Sequence, residues 1–443
     1  MSGARRIGVV GAGIAGLTAA WRLVQAGWVV EVFEAERYPG GRMGTLTAGG
    51  FSIDLGAHML LEHYDRTRAL IEEVGLAEQW FALEAGPGGV LRDHALSSFS
   101  PKSAFDVLRY RGIDLAGRIR LFVELVRAWR WRDDLDFFDL SLGGESLDVE
   151  DLESFSRRRM GDEATDYVVD SFIRTFHFHG ARKMSVKYFE ALAALLVARG
   201  EFRSCALRGY MGALPSALAA QLDVRYASRV TAIAPSEDGT QLTLPDGART
   251  FDEIVLATTP GVAAALLTEP SPAQRALLEH ADASCTIVCC VLVPCAIAAD
   301  FEGIWVPFVE SELVCALSNE TAKGSSDGRH CVFSVFLHEE AARGLLASSD
   351  ATIHSVVAAE VGRLFPRYAG HLAPLLVQRW PEALPIYGVG QVTRVAAFWS
   401  SGQGDGHVWL CGDYLNHPWV EGAVRCGEKV AHLNSQNATR TSR

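Results

Sequence analysis

At 443 residues the chain has room for two hydrophobic cores, and a composition 49% hydrophobic and 21% charged is that of a globular protein, not a disordered or fibrous one. A formal net charge of −12 argues against nucleic acid as a partner. Nine cysteines, odd in number and scattered through apolar context, point to buried thiols in a reduced, cytoplasmic setting.

Met1 to Ala20 carry two arginines ahead of an apolar run, the outline of a signal peptide, but the glycines inside that run argue against one. Ile7 to Val10 predict a strand leading into Gly11, Gly13 and Gly16, the spacing that opens a helix after a strand. Gly11 allows the tight turn, Gly13 lets the backbone approach a pyrophosphate, and Gly16 lets the helix pack closely on the strand. A helix over Ile14 to Gln25 ends at Gly27, and Trp28 to Phe33 predict the next strand. Glu34 closes that strand, where an acid bonds a ribose hydroxyl. Pro39-Gly40-Gly41-Arg42 follows, a glycine turn with an arginine whose fork suits the diphosphate of a permanently bound FAD.

With Gly50-Phe-Ser-Ile-Asp-Leu-Gly-Ala-His-Met59 added, the N-terminal region resembles the signature of the flavin-containing amine oxidase superfamily, nearest its protoporphyrinogen oxidase and carotenoid–squalene desaturase branch. The resemblance implies a Rossmann-like, discontinuous α/β FAD-binding domain beside an α+β substrate domain with an antiparallel sheet and a helical section. It assigns Gly11, Gly13, Ile14, Ala15, Gly16, Glu34, Ala35, Gly41, Arg42, Met43, Gly56, Ala57 and His58 to the cofactor. His58 is the one titratable side chain expected near the flavin, and either acts as a base or anchors the loop.

Tyr64 to Trp80 predict a helix with a stop at Gly75, and residues 81–100 are glycine-rich with short strands. From Pro101 to about Arg199 the pattern is helical. Ile119 to Arg132 carry arginines and aromatics at helical spacing, which suits either a membrane-surface helix or a domain helix with a solvated basic face. His177 and His179 lack an acidic or thiol neighbour and are expected to be structural. A helix from Gly209 to Gln221, strands over Val224 to Ile233, a hairpin about Gly239, and the strand Phe251 to Thr258 return to the cofactor domain. By resemblance Val230 meets the adenine end through its backbone, and Ala257 and Thr258 close a strand beside the cofactor.

Strands over Thr286 to Val293, Ile304 to Val309, Leu313 to Ser318 and Cys331 to Leu337, with a helix over Ala351 to Phe365, complete the substrate domain. The uncharged run Ser284 to Ala299 contains Pro294 and is short for a bilayer span, so it is expected as a buried strand with no transmembrane segment. Cys285, Cys289, Cys290 and Cys295 lie on that run and not in paired C-x-x-C loops, so no metal is expected.

Arg379-Trp380-Pro-Glu-Ala-Leu-Pro-Ile-Tyr387-Gly388 resembles the segment lining the isoalloxazine, and Val408 to Lys429 resembles the superfamily's C-terminal flavin motif. These assign Trp380, Gly412, Asp413, Glu421, Gly422, Ala423 and Val424 to the cofactor, and Tyr387 and Trp419 to an aromatic pair at the reacting face. The positive end of a helix starting near Glu421 suits the charge of a reduced flavin. No cysteine lies in residues 379–400, so a non-covalent FAD is expected.

The amine oxidases of the superfamily add a lysine on a substrate-domain strand. None of Lys102, Lys183, Lys187, Lys323 and Lys429 is convincingly so placed, and Lys323 falls in a Gly-Ser-Ser loop. The expected function is therefore dehydrogenation of an apolar or polycyclic small molecule, with oxygen or a quinone as electron acceptor and a peripheral membrane contact in view. The alternatives are an amine or amino-acid oxidase, or a flavoprotein scaffold without turnover. The cofactor domain is expected over 1–75, 205–270 and 385–443, the substrate domain over 76–204 and 271–384.

Overall fold

The computed structural model describes residues 5–84, 88–99, 103–200 and 202–441. Met1 to Ala4 of the N-terminal run, residues 85–87 of the glycine-rich stretch, and Lys102 lie outside the described residues. Strand β1 (Arg6–Val10), helix α1 (Ile14–Gln25) and strand β2 (Val29–Phe33) follow one another as the glycine spacing predicts. They belong to a five-stranded parallel sheet in the order Val224–Arg225, β2, β1, Glu253–Leu256, Val408–Leu410. All four residues of Glu253–Leu256 are buried, as expected of a central parallel strand covered on both faces.

The long helix Val420–Thr441 crosses α1 at Gly427, where an added Cβ would lie 2.5 Å from the Ala15 carbonyl oxygen. Only glycine permits that approach.

A second sheet has seven strands, in the order Ala373–Trp380, Thr286–Pro294, His330–Leu337, Val314–Asn319, Gly303–Trp305, Gly89–Arg92, Ala95–Ser98. It is antiparallel except where Gly303–Trp305 meets Gly89–Arg92. Strand alternation sorts its faces. Ile287, Cys289 and Val291 pack with Ile353, Val357 and Val361 of the helix Asp350–Leu364, while Val288, Cys290 and Phe336 face the other way. Cys289 and Cys290 therefore stand on opposite faces. Among the described residues no group of three or more histidine, cysteine or acidic side chains is placed to hold a metal.

Helices Leu115–Ala128, Leu152–Met160, Asp170–His177 and Val186–Arg199 form the helical section. Among the described residues no helix is long and apolar enough to cross a membrane.

Several elements differ from expectation, among them the helix expected over Gly209 to Gln221, which is only Ala213–Ala219, and the strand expected over Phe251 to Thr258, which is Glu253–Leu256. The helix after Tyr64 is α2 in our numbering, Asp65–Glu73, and stops before Gly75, whose φ is +79°. The strand at 304 is only Gly303–Trp305, because Pro307 cannot donate to a ladder. The strand from Val224 breaks after Arg225, near Ala227 at φ +50°, and resumes as Ala232–Ser236.

Candidate active site

The turn between β1 and α1 is built for a close-lying ligand. Gly11 has φ +104°, and a Cβ there would sit 2.6 Å from the Ala257 carbonyl oxygen; one on Gly16 would sit 2.1 Å from that of Gly11. Gly13 is the opposite case, with nothing within 4 Å of an added Cβ and no side chain capping the helix that starts behind it. The N–H groups of the first turn of α1 thus face an open cleft lined by Gly13, Ile14 and Ala15, a site that favours a diphosphate. Glu34 accepts hydrogen bonds from the backbone N–H of Ala12 at 2.7 Å and of Glu36 at 2.9 Å, which aims its carboxylate at the glycine turn. Ala35 follows it, and Ser228 N–H donates to the Glu34 carbonyl at 2.8 Å, drawing the segment that carries the buried Val230 to this end. These residues suit a dinucleotide: the first turn of α1 would hold its diphosphate and Glu34 its ribose.

The cleft continues past Gly40, Arg42, Met43, Gly56, Ala57, His58, Ala257, Thr258, Trp380, Gly412 and Asp413. Gly40 and Gly41, at φ +109° and +52°, turn the chain back against Gly13, and the Gly40 N–H donates to Ala12 at 2.8 Å. A Cβ on Gly56 would lie 2.4 Å from the Arg42 carbonyl oxygen. Trp380 ends a strand of the second sheet, and its Nε1 donates to the Leu55 carbonyl at 2.7 Å, tying that sheet to the segment after the strand Phe51–Asp54 at the cleft. Arg42 does not hold its fork free for a diphosphate: both arms pair with Asp413, at 2.7 and 2.8 Å, and Nη1 also donates to the Ala383 carbonyl at 2.8 Å.

At the C-terminal motif the helix starts at Val420, and its first turn presents Val420 and Ala423 to the cleft. Glu421, Gly422 and Val424, assigned to the cofactor by resemblance, are not among the residues lining the cleft. Glu421 is fully buried and accepts from Arg66 N–H, Thr67 N–H, Thr67 Oγ1 and Arg425 Nε at 2.7 to 3.0 Å, capping α2 instead of facing a flavin. Gly422 packs on the His417 carbonyl, and Val424 lies in the core. Tyr387 is not among the lining residues either. It is buried outside the cleft lining, and its hydroxyl donates to the Asp413 carbonyl at 2.6 Å, so it props Asp413. Trp419 does line the cavity, held by parallel stacking on His177 at 5.7 Å between ring centroids and edge contact with Phe137 at 5.4 Å.

His58 lines the same cavity beside Phe336, whose ring meets it edge-on at 4.8 Å. Its Nδ1 lies 2.7 Å from Glu320 Oε1, and its Nε2 is buried with no hydrogen-bond partner. Glu320 is ion-paired in turn with Lys323, whose Nζ reaches Asp54 Oδ2 at 2.7 Å and the His58 carbonyl at 3.1 Å. Asp54 Oδ1 accepts from Thr45 Oγ1 at 2.6 Å and Met211 N–H at 3.0 Å. Burial opposes ionisation of both Glu320 and Lys323, but the neighbours outweigh it: Lys323 and His58 hold the Glu320 carboxyl below the usual range, and Asp54 and Glu320 raise the Lys323 ammonium above its own. Sequence reasoning placed Lys323 in a loop and missed this network. The weak signal was an Asp closing an apolar strand and a Glu and Lys three apart.

Beyond the cleft the cavity runs between Phe176, Trp305 and Trp419 into a second chamber among the helices, walled by Leu121, Leu125, Phe172, Ile173, Leu192, Ala193 and Leu196. Among the described residues lining the two chambers none is lysine, Arg42 is the one arginine and is paired, and Glu302 stands at the junction. The strand Thr286–Pro294 enters the cavity with Thr286, whose hydroxyl donates to the Leu337 carbonyl at 2.8 Å.

A dinucleotide cradle of parallel strands, opening into an apolar cavity floored by a second sheet, defines an FAD-dependent oxidoreductase. The family model for flavin containing amine oxidoreductases matches residues 14–433, and the chain belongs to that family. It is 29% identical over 173 residues to the mitochondrial protoporphyrinogen oxidase of Nicotiana tabacum, covering 39% of this chain and 32% of that protein. It is 31% identical over 257 residues to the phytoene dehydrogenase of Streptomyces griseus, covering 52% of this chain and 49% of that one. The chain thus spans a third to a half of the length of these relatives. The crystal structure of a putative protoporphyrinogen oxidase from Exiguobacterium sp. 255-15 shares the fold with a TM-score of 0.77 at 17% identity, covering 99% of this chain and all of that one. The cofactor is FAD.

Proposed function

We propose that this oxidoreductase dehydrogenates an uncharged, apolar small molecule, introducing a double bond at a carbon held over the flavin. When bound, the flavin supplies the hydride acceptor. The observation that carries the reading is the lining of the two chambers: it offers aromatic and aliphatic walls and no unpaired cation. A porphyrinogen bears carboxylates that need such cations, and an amine gains nothing from a wall without a lysine-held water. Trp380 and Trp419 would bracket the reacting segment, and the second chamber would take the rest of a long substrate. The absence of cysteine from the described lining favours a non-covalent FAD, and oxygen or a quinone would reoxidise it. The cofactor domain we take as 1–75, 205–270 and 385–443, and the substrate domain as 76–204 and 271–384.

The test is anaerobic. Purified FAD-loaded protein is mixed with phytoene in detergent, with a porphyrinogen, and with a panel of amines, and flavin absorbance is followed. Bleaching by the polyene supports the proposal, while bleaching by the porphyrinogen or an amine alone overturns it.

We further propose that the substrate enters from an anionic phospholipid bilayer against which the helix Leu115–Ala128 lies. Leu115, Ile119, Val126 and Trp129 are exposed at i, i+4, i+11 and i+14, with Phe122 between them and the exposed Phe105 packed on Phe122 at 5.2 Å. That is one apolar stripe turned to solvent. Its opposite face carries Leu121 and Leu125, which wall the second chamber. Residues 103–132 hold seven arginines against three acids in a chain of net charge −12, the local sign that complements anionic lipid.

A further inference from the structure

Dehydrogenation of a CH–CH unit, the reading on which this inference rests, releases two hydrogens. One C–H bond breaks with its electron pair leaving as hydride, for which the cofactor is the acceptor. The other breaks with its electrons staying to form the new C=C bond, and its hydrogen leaves as a proton. In an apolar chamber that proton needs a base.

Among the described residues lining the flavin-side chamber, His58 is the group with the geometry of one. It is 8% exposed, its Nε2 is buried without a partner, and its Nδ1 is taken by Glu320 at 2.7 Å. An ionised carboxylate only accepts hydrogen bonds, so Glu320 requires the proton of the neutral ring to sit on Nδ1, which leaves the lone pair on Nε2. Asp413 is engaged by Arg42, and Glu302, which lines both chambers, stands where they meet.

We propose that His58 Nε2 accepts the proton released from the substrate, and that Glu320, Lys323 and Asp54 are positioning residues that fix its tautomer and orientation. Glu320 and Lys323 have side chains 1% and 3% exposed, so neither swings free, and Lys323 also grips the His58 carbonyl. Two carboxylates face one ammonium in this cluster. Phe336 holds the ring from the side, and the contacts of His58, Glu320 and Lys323 join the segment after the hairpin strand Phe51–Asp54 to the turn after Val314–Asn319 of the seven-stranded sheet, so the base is set in place only when hairpin and sheet are assembled.

The test has two readouts on the FAD-loaded protein. The first needs no turnover: histidine ring nitrogens are labelled with 15N, and the His58 resonances are assigned among the 13 histidines by difference with His58→Asn. The expected spectrum shows hydrogen on Nδ1 and a bare Nε2, and Glu320→Gln mixes the tautomers. Hydrogen on Nε2 in the folded, oxidised protein overturns the proposal.

The second readout is the rate of flavin bleaching under anaerobic phytoene. His58→Asn is expected to slow it about a hundredfold or more with FAD content and substrate affinity kept. Glu320→Gln is expected to slow it about tenfold, again in rate and not in affinity, whereas a merely structural role would move both. A wild-type rate in His58→Asn overturns the proposal and leaves the dehydrogenase reading standing. If wild-type flavin is bleached by none of the polyene, porphyrinogen and amine probes, the dehydrogenase reading itself falls and this proposal with it.

Discussion

The guanidinium of Arg42 grips the carboxylate of Asp413 in a two-armed ion pair, Nη1 to Oδ2 at 2.7 Å and Nη2 to Oδ1 at 2.8 Å, across 371 residues of chain. Asp413 is buried, and Arg42 borders the cleft. The pair fastens the N-terminal glycine turn to the C-terminal flavin motif. Asp413→Ala strands the guanidinium and is expected to cost about 3 kcal/mol. Denaturant unfolding and flavin content of the purified variant check this, the flavin content falling with the stability. Arg42→Lys, which keeps the charge and loses the fork, should fall between.

Gly16→Val gives a sharper failure. A Cβ there already meets the Gly11 carbonyl at 2.1 Å and Ala257 Cβ at 2.9 Å, so α1 must move off the sheet and take the diphosphate site with it. The variant should purify colourless, and titration with FAD should recover little fluorescence quenching. Gly13→Ala, where the protein itself leaves open space, should fold normally, yet its Cβ enters the diphosphate site, so FAD binding should weaken strongly while stability is kept.

The second chamber is expected to set reach. Ala193, buried on Val186–Arg199, lines it. Ala193→Leu should raise KM for a long polyene about tenfold or more while leaving flavin content unchanged. A short apolar substrate should be indifferent, and steady-state kinetics on a length series separates the two.

Acid should loosen the fold through its buried imidazoles. Burial, with Arg174 nearby, pushes His338 down to about 3, and burial also holds His177 and His417 well below their ordinary value. The unfolded chain protonates these rings near pH 6.5 and the native state does not. Stability is therefore full above that pH and falls as pH drops toward 3, by about 1.4 kcal/mol per pH unit for each such ring well below 6.5. His338→Gln, away from the cavity lining, should make the unfolding free energy between pH 6.5 and 4.5 less steep by the share of one ring. Chemical denaturation at a series of pH values measures it.

Vesicle flotation addresses the surface stripe. The wild type should float with vesicles containing phosphatidylglycerol, less with phosphatidylcholine alone, and less at high salt. The double variant Ile119→Glu, Val126→Glu should stay at the bottom with its flavin intact. Light-scattering mass that doubles in the wild type and not in the variant would instead make the stripe a contact between copies.

What the sequence made legible was the part of the site written in backbone. Gly11, Gly16 and Gly56 stand where any side chain would strike a carbonyl, so their spacing carries the geometry directly. Side-chain direction was not legible. Val420 and Ala423 share one face of their helix, and Glu421 and Val424 turn away from it, a distinction set by where the helix begins. Tyr387 occupies the expected stretch but bonds the main chain behind Asp413. The network behind His58 joins positions 262 and 269 residues apart, and a buried lysine in a polar loop looks like any surface lysine until its two carboxylates are seen.

The helix that crosses at Gly427 also dictates a timetable. As the ribosome emits this polypeptide, β1, α1 and β2 emerge early, yet the groove against α1 stays bare until Val420–Thr441 is translated and docks. Yellow colour should therefore appear only after the segment Val420–Thr441 has been made.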